Sequence, residues 1–254
     1  VNWASILAAA KRAQAAYIED AAEAKAAFKA LGLEFIGQHE DVLHQAVLSR
    51  DAAGAIYLSI SGTRFGEAHD IDLLDDVYLL PIHVGSGAVV AAGVYNGMAE
   101  FLAWVHANVP AGTVINIEGH SLGAERALLT PLFLPKAQIG SIHAFEAPQC
   151  ASSEYRQSYA DELAHAVHTV CGADVWYGWP PVSQYCHPAS SVIWLTGTGY
   201  KLIKPSEWPG GLSMGDHSIG LVVSRLEALT KMPNAPDTAG PCPASSPSHP
   251  SPPA

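Results

Sequence analysis

Residues 117–125 read Ile117-Glu118-Gly119-His120-Ser121-Leu122-Gly123-Ala124-Glu125, a serine between two glycines directly after an apolar run. That run, Val114 to Ile117, has the composition of a buried strand, and the residues from Leu122 onward are helix formers. A serine at such a strand-to-helix turn sits in a strained backbone conformation. Only residues without bulk fit two places before and after it, where strand and helix approach closely. Gly119 and Gly123 meet that need. The turn also sets Ser121 at a helix N-terminus, where unpaired backbone N–H groups stabilise a developing oxyanion, and Leu122 supplies one of them. Ser121 is therefore the candidate nucleophile.

Outward from this turn the chain alternates strands and helices. The alanine-rich run from Trp3 to Leu31 predicts one or two helices stopped by Gly32. Short apolar segments follow, the last of them Gly54 to Thr63, with an unbroken apolar run over 55–58 suited to a central strand. The spacing of Val94, Met98, Phe101, Leu102 and Val105 predicts a helix over 93–110, closed by Pro110. After the elbow the helix is expected to kink or end at Pro131. Segments 139–148 and 163–170 read as strands, 190–203 as a strand or hairpin, and 217–229 as the last helix. This order predicts an α/β layer architecture with a mostly parallel sheet flanked by helices. One domain is expected over 1–230. A tail is expected over 231–254, where eight of the chain's 18 prolines lie among Ser, Ala and Gly.

A serine hydroxyl needs a base and an orienting acid, and with a strand-turn-helix nucleophile these follow it in the order acid, then histidine. His217 lies in a glycine-bearing loop running into an apolar helix, from which it can reach back over the sheet edge. His143, His165 and His168 fall in predicted strands, His187 is the reserve, and His249 is in the tail. Asp174, just past the strand ending near Val170, is the candidate acid. Asp216 abuts His217 and ranks far below it, because adjacent residues rarely aim side chains at one another. Asp161 reads as a solvated charge.

The composition, 49% hydrophobic and 15% charged, is that of a globular protein with a large interior. With 24 acidic and 13 basic residues the formal charge is -11, which repels a nucleic-acid backbone or an anionic membrane at long range. No apolar stretch is long enough to span a bilayer. Cys150, Cys171, Cys186 and Cys242 lack C-x-x-C spacing, so one or two disulfides are expected and a zinc site is not. No metal or organic cofactor is expected. The setting implied is secreted or periplasmic, with any signal removed or never included.

With Ser121, Asp174 and His217 in this order, the chain resembles the class 3 (fungal-type) lipase family of α/β-hydrolases over about residues 15–230. Four stretches carry the likeness: Ala55 to Thr63, Asp72 to Val77, Ile117 to Ala127, and Ala144 to Cys150 followed by His168 to Pro181. The resemblance implies an α/β-hydrolase fold and attack by Ser121 on an ester carbonyl. His217 is then base and acid, and Asp174 orients it. Thr63 is implied as the oxyanion residue beside the Leu122 N–H, which agrees with Ser61-Gly62-Thr63 as a small turn at a strand end. The substrate implied is an ester or lipid, met where required at a lipid–water interface.

The chain departs from the family pattern in places. Ser61 stands where the family carries arginine, and Arg64 comes one step after Thr63. Leu73 replaces a common tryptophan, and Glu125 and Arg126 replace small or apolar residues behind the elbow, which predicts a wetter helix face or an internal ion pair. The presumed lid, about Arg64 to Leu74, is polar in its first half, which favours short or soluble esters over emulsified triglycerides. Trp176, Tyr177, Trp179 and Trp208 are candidates for an acyl or aromatic pocket, or for plain packing. A phospholipase A1, feruloyl-type esterase, polyester hydrolase or acyltransferase has the same triad. The reading from another class is a binding module that keeps the fold without turnover, and the proline-rich tail reads as a partner-binding element or a linker.

Overall fold

A computed structural model describes residues 1–41, 44–63, 79–197 and 199–231. Eight strands form one sheet in the spatial order β1 (Glu34–Glu40), β2 (Gln45–Arg50), β3 (Ile56–Ile60), β6 (Ile115–His120), β7 (Ile139–Phe145), β8 (Val167–Cys171), β9 (Val192–Leu195) and β10 (Tyr200–Ile203). A separate antiparallel pair joins β4 (Pro81–His83) to β5 (Val89–Ala91). From β3 to β9 the main sheet is parallel, and antiparallel pairings close its two edges. This is the α/β layer architecture with a mostly parallel sheet expected from the alternating elements, and it agrees with the α/β-hydrolase fold that the resemblance implies.

Helices cover both faces, so the central strands are buried on both sides. On one face lie the helices Trp3–Ala15 and Ile219–Thr230. Ala9, Ala10 and Ala13 are fully buried, and their lack of bulk lets the first helix pack closely on the sheet. The other face carries the helices Met98–Asn108 and Leu122–Leu129, whose Met98, Phe101, Val105, Ala124 and Leu128 share a core with Leu48, Leu58, Ile115 and Ile117.

Several boundaries differ from the sequence expectation. The N-terminal run is two helices, Trp3–Ala15 and Ala21–Ala30, the second opened by the Asp20 carboxylate, which accepts the Ala22 and Glu23 N–H groups at 2.9 Å each. The helix expected over 93–110 is broken into Ala92–Tyr95 and Met98–Asn108, because Gly97 takes φ 78° between them. Val114 is exposed and stands outside β6, which begins at Ile115 and runs on to His120. The elbow helix ends at Leu129, and Pro131 sits in the 3₁₀ turn that follows. His165 is in the turn before β8, not in it. Residues 192–203 form the β9–β10 hairpin.

Cys150, Cys171 and Cys186 are free thiols, so none of the expected disulfides joins these three, and Cys242 lies outside the described residues. The presumed lid and the proline-rich tail from residue 232 also lie outside them. Among the described residues no helix is long and apolar enough to cross a membrane.

Candidate active site

The parallel strands β3, β6, β7 and β8 all end at one edge of the sheet, and the candidate residues collect there. At the end of β6, Ser121 takes φ 57° and ψ -128°, and its N–H donates to the Phe145 carbonyl at the end of β7 at 2.9 Å. Its own carbonyl accepts the Ala124 and Glu125 N–H groups at 2.9 and 3.2 Å, which starts the helix at once. The glycine requirement read from the sequence is steric and is met as expected. A Cβ on Gly119 would run into the Gly123 carbonyl and lie 2.7 Å from the Ala124 nitrogen. One on Gly123 would strike the carbonyls of Ile60 and Ser61.

His217 and Asp174 come from two loops zipped together. The Ser213 N–H donates to the Ala173 carbonyl at 2.8 Å, and the Val175 N–H donates to the Ser213 carbonyl at 3.3 Å. The Asp216 carboxylate accepts the Ala173 N–H at 2.8 Å and lies 3.7 Å from Arg225, so this lower-ranked acid pins the loop instead of meeting the imidazole. His217 Nε2 is 2.8 Å from Ser121 Oγ, and its Nδ1 is 3.0 and 3.1 Å from the two Asp174 oxygens. Asp174 is fully buried, and its Oδ1 also accepts the Trp176 N–H at 2.9 Å. A carboxylate only accepts, so Nδ1 carries the proton and Nε2 is free to accept the serine hydroxyl proton.

The structure thus brings Ser121, Asp174 and His217 together and leaves the other candidates elsewhere. His168 and His187 pack on Tyr177, His143 is buried beside Phe145, and His249 lies outside the described residues. Gly62 is pressed against the elbow: a Cβ there would lie 2.7 Å from Ser121 Cβ and 2.8 Å from the His120 carbonyl oxygen. Thr63 is the next residue, and Leu122 opens the elbow helix, where its N–H has no intrahelical acceptor. The aromatic cluster divides. Trp176 stands 6.3 Å from the His217 ring and edge-on to Trp179, while Tyr177 and Trp208 pack over Val170 and Val192.

Sequence reasoning missed a second polar layer beneath the elbow. Along β6 the apolar Ile115 and Ile117 alternate with Asn116, Glu118 and His120. Glu118 is fully buried and takes the Arg12 guanidinium at 2.8 and 3.1 Å and the Ser59 hydroxyl at 2.5 Å. His120 contacts Tyr17 Oη at 2.6 Å through Nδ1 and Glu146 Oε2 at 2.9 Å through Nε2. Burial, with the neighbouring His217, holds the His120 imidazole well below its ordinary range, while burial and the Asp174 charge push the Glu146 carboxyl well above it. The alternation itself was the available signal, since polar groups in a strand buried on both faces need partners.

His120, Glu146 and His217 offer ligand atoms within 4.8 Å of one another, the spacing of a metal site. All four ring nitrogens, however, are engaged by Tyr17, Glu146, Ser121 and Asp174, which commits this set to hydrogen bonding.

Residues 66–182 match the model of the family described as lipase (class 3). No curated protein matches the chain. Among solved structures the chain is similar to the triacylglyceride lipase of Rhizomucor miehei, with a TM-score of 0.66 and 17% identity over 84% of this chain and 92% of that one. A lipase from Rhizopus microsporus var. chinensis gives 0.65 and 19% over 85% of each chain. A triacylglycerol lipase whose catalytic centre is formed by a serine protease triad gives 0.59 and 19%, over 84% and 89% respectively. At these identities the structural likeness is one of fold.

Proposed function

We propose that this chain, whose residues 66–182 match the class 3 lipase model, is a carboxylic-ester hydrolase of that family with Ser121, His217 and Asp174 as its catalytic triad. The observation that carries this reading is the unbroken contact from Ser121 Oγ to His217 Nε2, 2.8 Å, and from His217 Nδ1 to Asp174, 3.0 Å. His217 Nε2 takes the hydroxyl proton as Ser121 Oγ attacks the ester carbonyl carbon. The carbonyl electron pair moves onto oxygen, and the Leu122 and Thr63 N–H groups hold the resulting oxyanion. The imidazolium, steadied by the Asp174 carboxylate, returns its proton to the departing alkoxide and leaves an acyl-serine. Water, deprotonated by the same imidazole, then releases the acid. The serine protease triad of the similar triacylglycerol lipase supports the assignment.

The substrate read from the sequence is a short or soluble ester. One observation favours a second reading, an acyl ester met at a lipid–water interface: Leu212 and Met214, 91% and 61% exposed, stand in the loop just before His217. A fluorophosphonate probe with the adduct located by mass spectrometry tests the nucleophile, and p-nitrophenyl esters of increasing acyl length test the substrate. An adduct on Ser121 with turnover is the expected result. A rate maximum at short chains supports the first substrate reading, and a maximum at long chains that rises on emulsion supports the second. Neither label nor turnover on any ester, in folded protein with detergent present, makes the chain a silent binding module.

A further inference from the structure

Among the described residues only Ser121 and Glu146 combine a side chain with positive φ, and they sit side by side at the ends of β6 and β7. For Ser121 the strain presents the hydroxyl. Glu146, at φ 55°, occupies a conformation that glycine adopts without cost, yet a fully buried carboxyl is kept there. Its partners say what the side chain holds. The Gly62 N–H, which only donates, lies 2.8 Å from Tyr17 Oη. Tyr17 must then spend its single proton on His120 Nδ1, 2.6 Å away. His120 is therefore protonated on Nε2, and that N–H donates to Glu146 Oε2 at 2.9 Å. Every proton in the chain is fixed by the one amide at its end.

From this chain, and resting on the triad proposed above, we propose that Glu146 is a positioning residue that acts through His120 and Tyr17 to hold Gly62, and so the Thr63 N–H, at its distance from the Ser121 elbow. His120 precedes the nucleophile and Gly62 precedes the oxyanion residue, so the chain clamps both sides of the place where the carbonyl oxygen sits. Gly62 is already tight against Ser121, and its N–H has Tyr17 Oη as its acceptor. Loosening that bond lets the loop drift outward, and oxyanion donors act only at close range. Burial and the Asp174 charge push the Glu146 carboxyl well above its ordinary range, and its Oε2 stands 2.9 Å from His120 Nε2 as the acceptor that ends the chain.

Three variants separate this role from packing. Glu146→Gly relieves the backbone but leaves the buried His120 N–H without its acceptor, so Tm is expected to fall modestly; in the folded protein kcat is expected to drop about ten- to a hundredfold, with KM little changed, a fraction of what losing an oxyanion donor outright costs. Glu146→Gln, whose amide oxygen accepts from His120, is expected to stay within a few-fold of wild type. Tyr17→Phe, which leaves the Gly62 N–H without its acceptor, is expected to lose as much kcat as Glu146→Gly, and the double variant no more than the worse single one. Wild-type kcat in Glu146→Gly, or single losses that multiply in the double variant, overturns the proposal. Losses that track the folded fraction overturn it as well, and Tyr17→Phe provides the same test where Glu146→Gly does not fold. The wild-type probe adduct is read first: its absence from Ser121 defeats the triad, whereas its presence with unaffected variants defeats only the positioning chain.

Discussion

Replacing Asp174 with asparagine changes one atom, and the surrounding donors decide how that atom is placed. Oδ1 accepts the Trp176 N–H at 2.9 Å, so the amide must turn its carbonyl to that side. Its NH₂ then occupies the Oδ2 position, the nearer of the two to His217 Nδ1 at 3.0 Å, while the carbonyl, 3.1 Å from the ring, is held by the Trp176 N–H. Two donors cannot face each other, so Nδ1 becomes an acceptor and the imidazole proton moves to Nε2, pointing at Ser121 Oγ across 2.8 Å. The ring then cannot receive the serine proton. The tautomer error in a serine triad costs about 10⁴ in kcat, close to 5 kcal/mol of barrier. The assay is kcat/KM on a soluble p-nitrophenyl ester, with the rate of fluorophosphonate labelling and Tm measured alongside. Labelling should slow with turnover while Tm holds, because the Trp176 bond survives. Asp216→Asn is the internal contrast: its amide oxygen still accepts the Ala173 N–H, so only a few-fold change is expected. Asp174→Asn within tenfold of wild type would refute the tautomer argument and remove Asp174 from the triad.

The remaining predictions concern stability. Arg12→Met leaves the Glu118 carboxylate buried beside Ser59 alone, and breaking such a pair costs about 3–5 kcal/mol; Arg12→Met with Glu118→Leu should recover most of it in denaturant titration. Burial lowers His44 and His143 to about 4 and His168 to about 3, from an ordinary 6.5. As pH falls from 6.5 to 4 the unfolded chain therefore binds protons that the folded chain refuses, and stability is lost across that window. His120 and His187, also lowered, add to this, while the raised Glu118 and Glu146 act with the opposite sign and are outnumbered. Tm read from pH 7.5 to 4.5 should fall steadily, and a flat profile would show these imidazoles to be solvated.

What the sequence made legible was whatever one segment imposes on itself. Gly119 and Gly123 announce the elbow because the clash they avoid lies within the turn and with the strand beside it, and the order Ser121, Asp174, His217 follows from loops that end at one sheet edge. The hairpin of β9 and β10 and the break at Gly97 were harder, since each depends on which of two permitted conformations tertiary packing selects. The layer under the nucleophile was not legible at all as a set of pairs. Arg12 is 106 positions from Glu118, Tyr17 is 103 from His120, and Glu146 is 26 from it; the packing of the first helix and its following turn on the sheet decides the first two meetings, and the β6–β7 register the third. The need for partners was nonetheless written in β6. In a strand covered on both faces, polar groups at every second place are tolerable only when paired, since an unpaired buried carboxylate or amide costs more than the strand gains from its apolar neighbours. Asn116, Glu118 and His120 therefore foretell a buried polar layer on the face opposite Ile115 and Ile117. Its position directly beneath Ser121 follows from the elbow, because the residue before a nucleophile at the end of such a strand must belong to one face or the other.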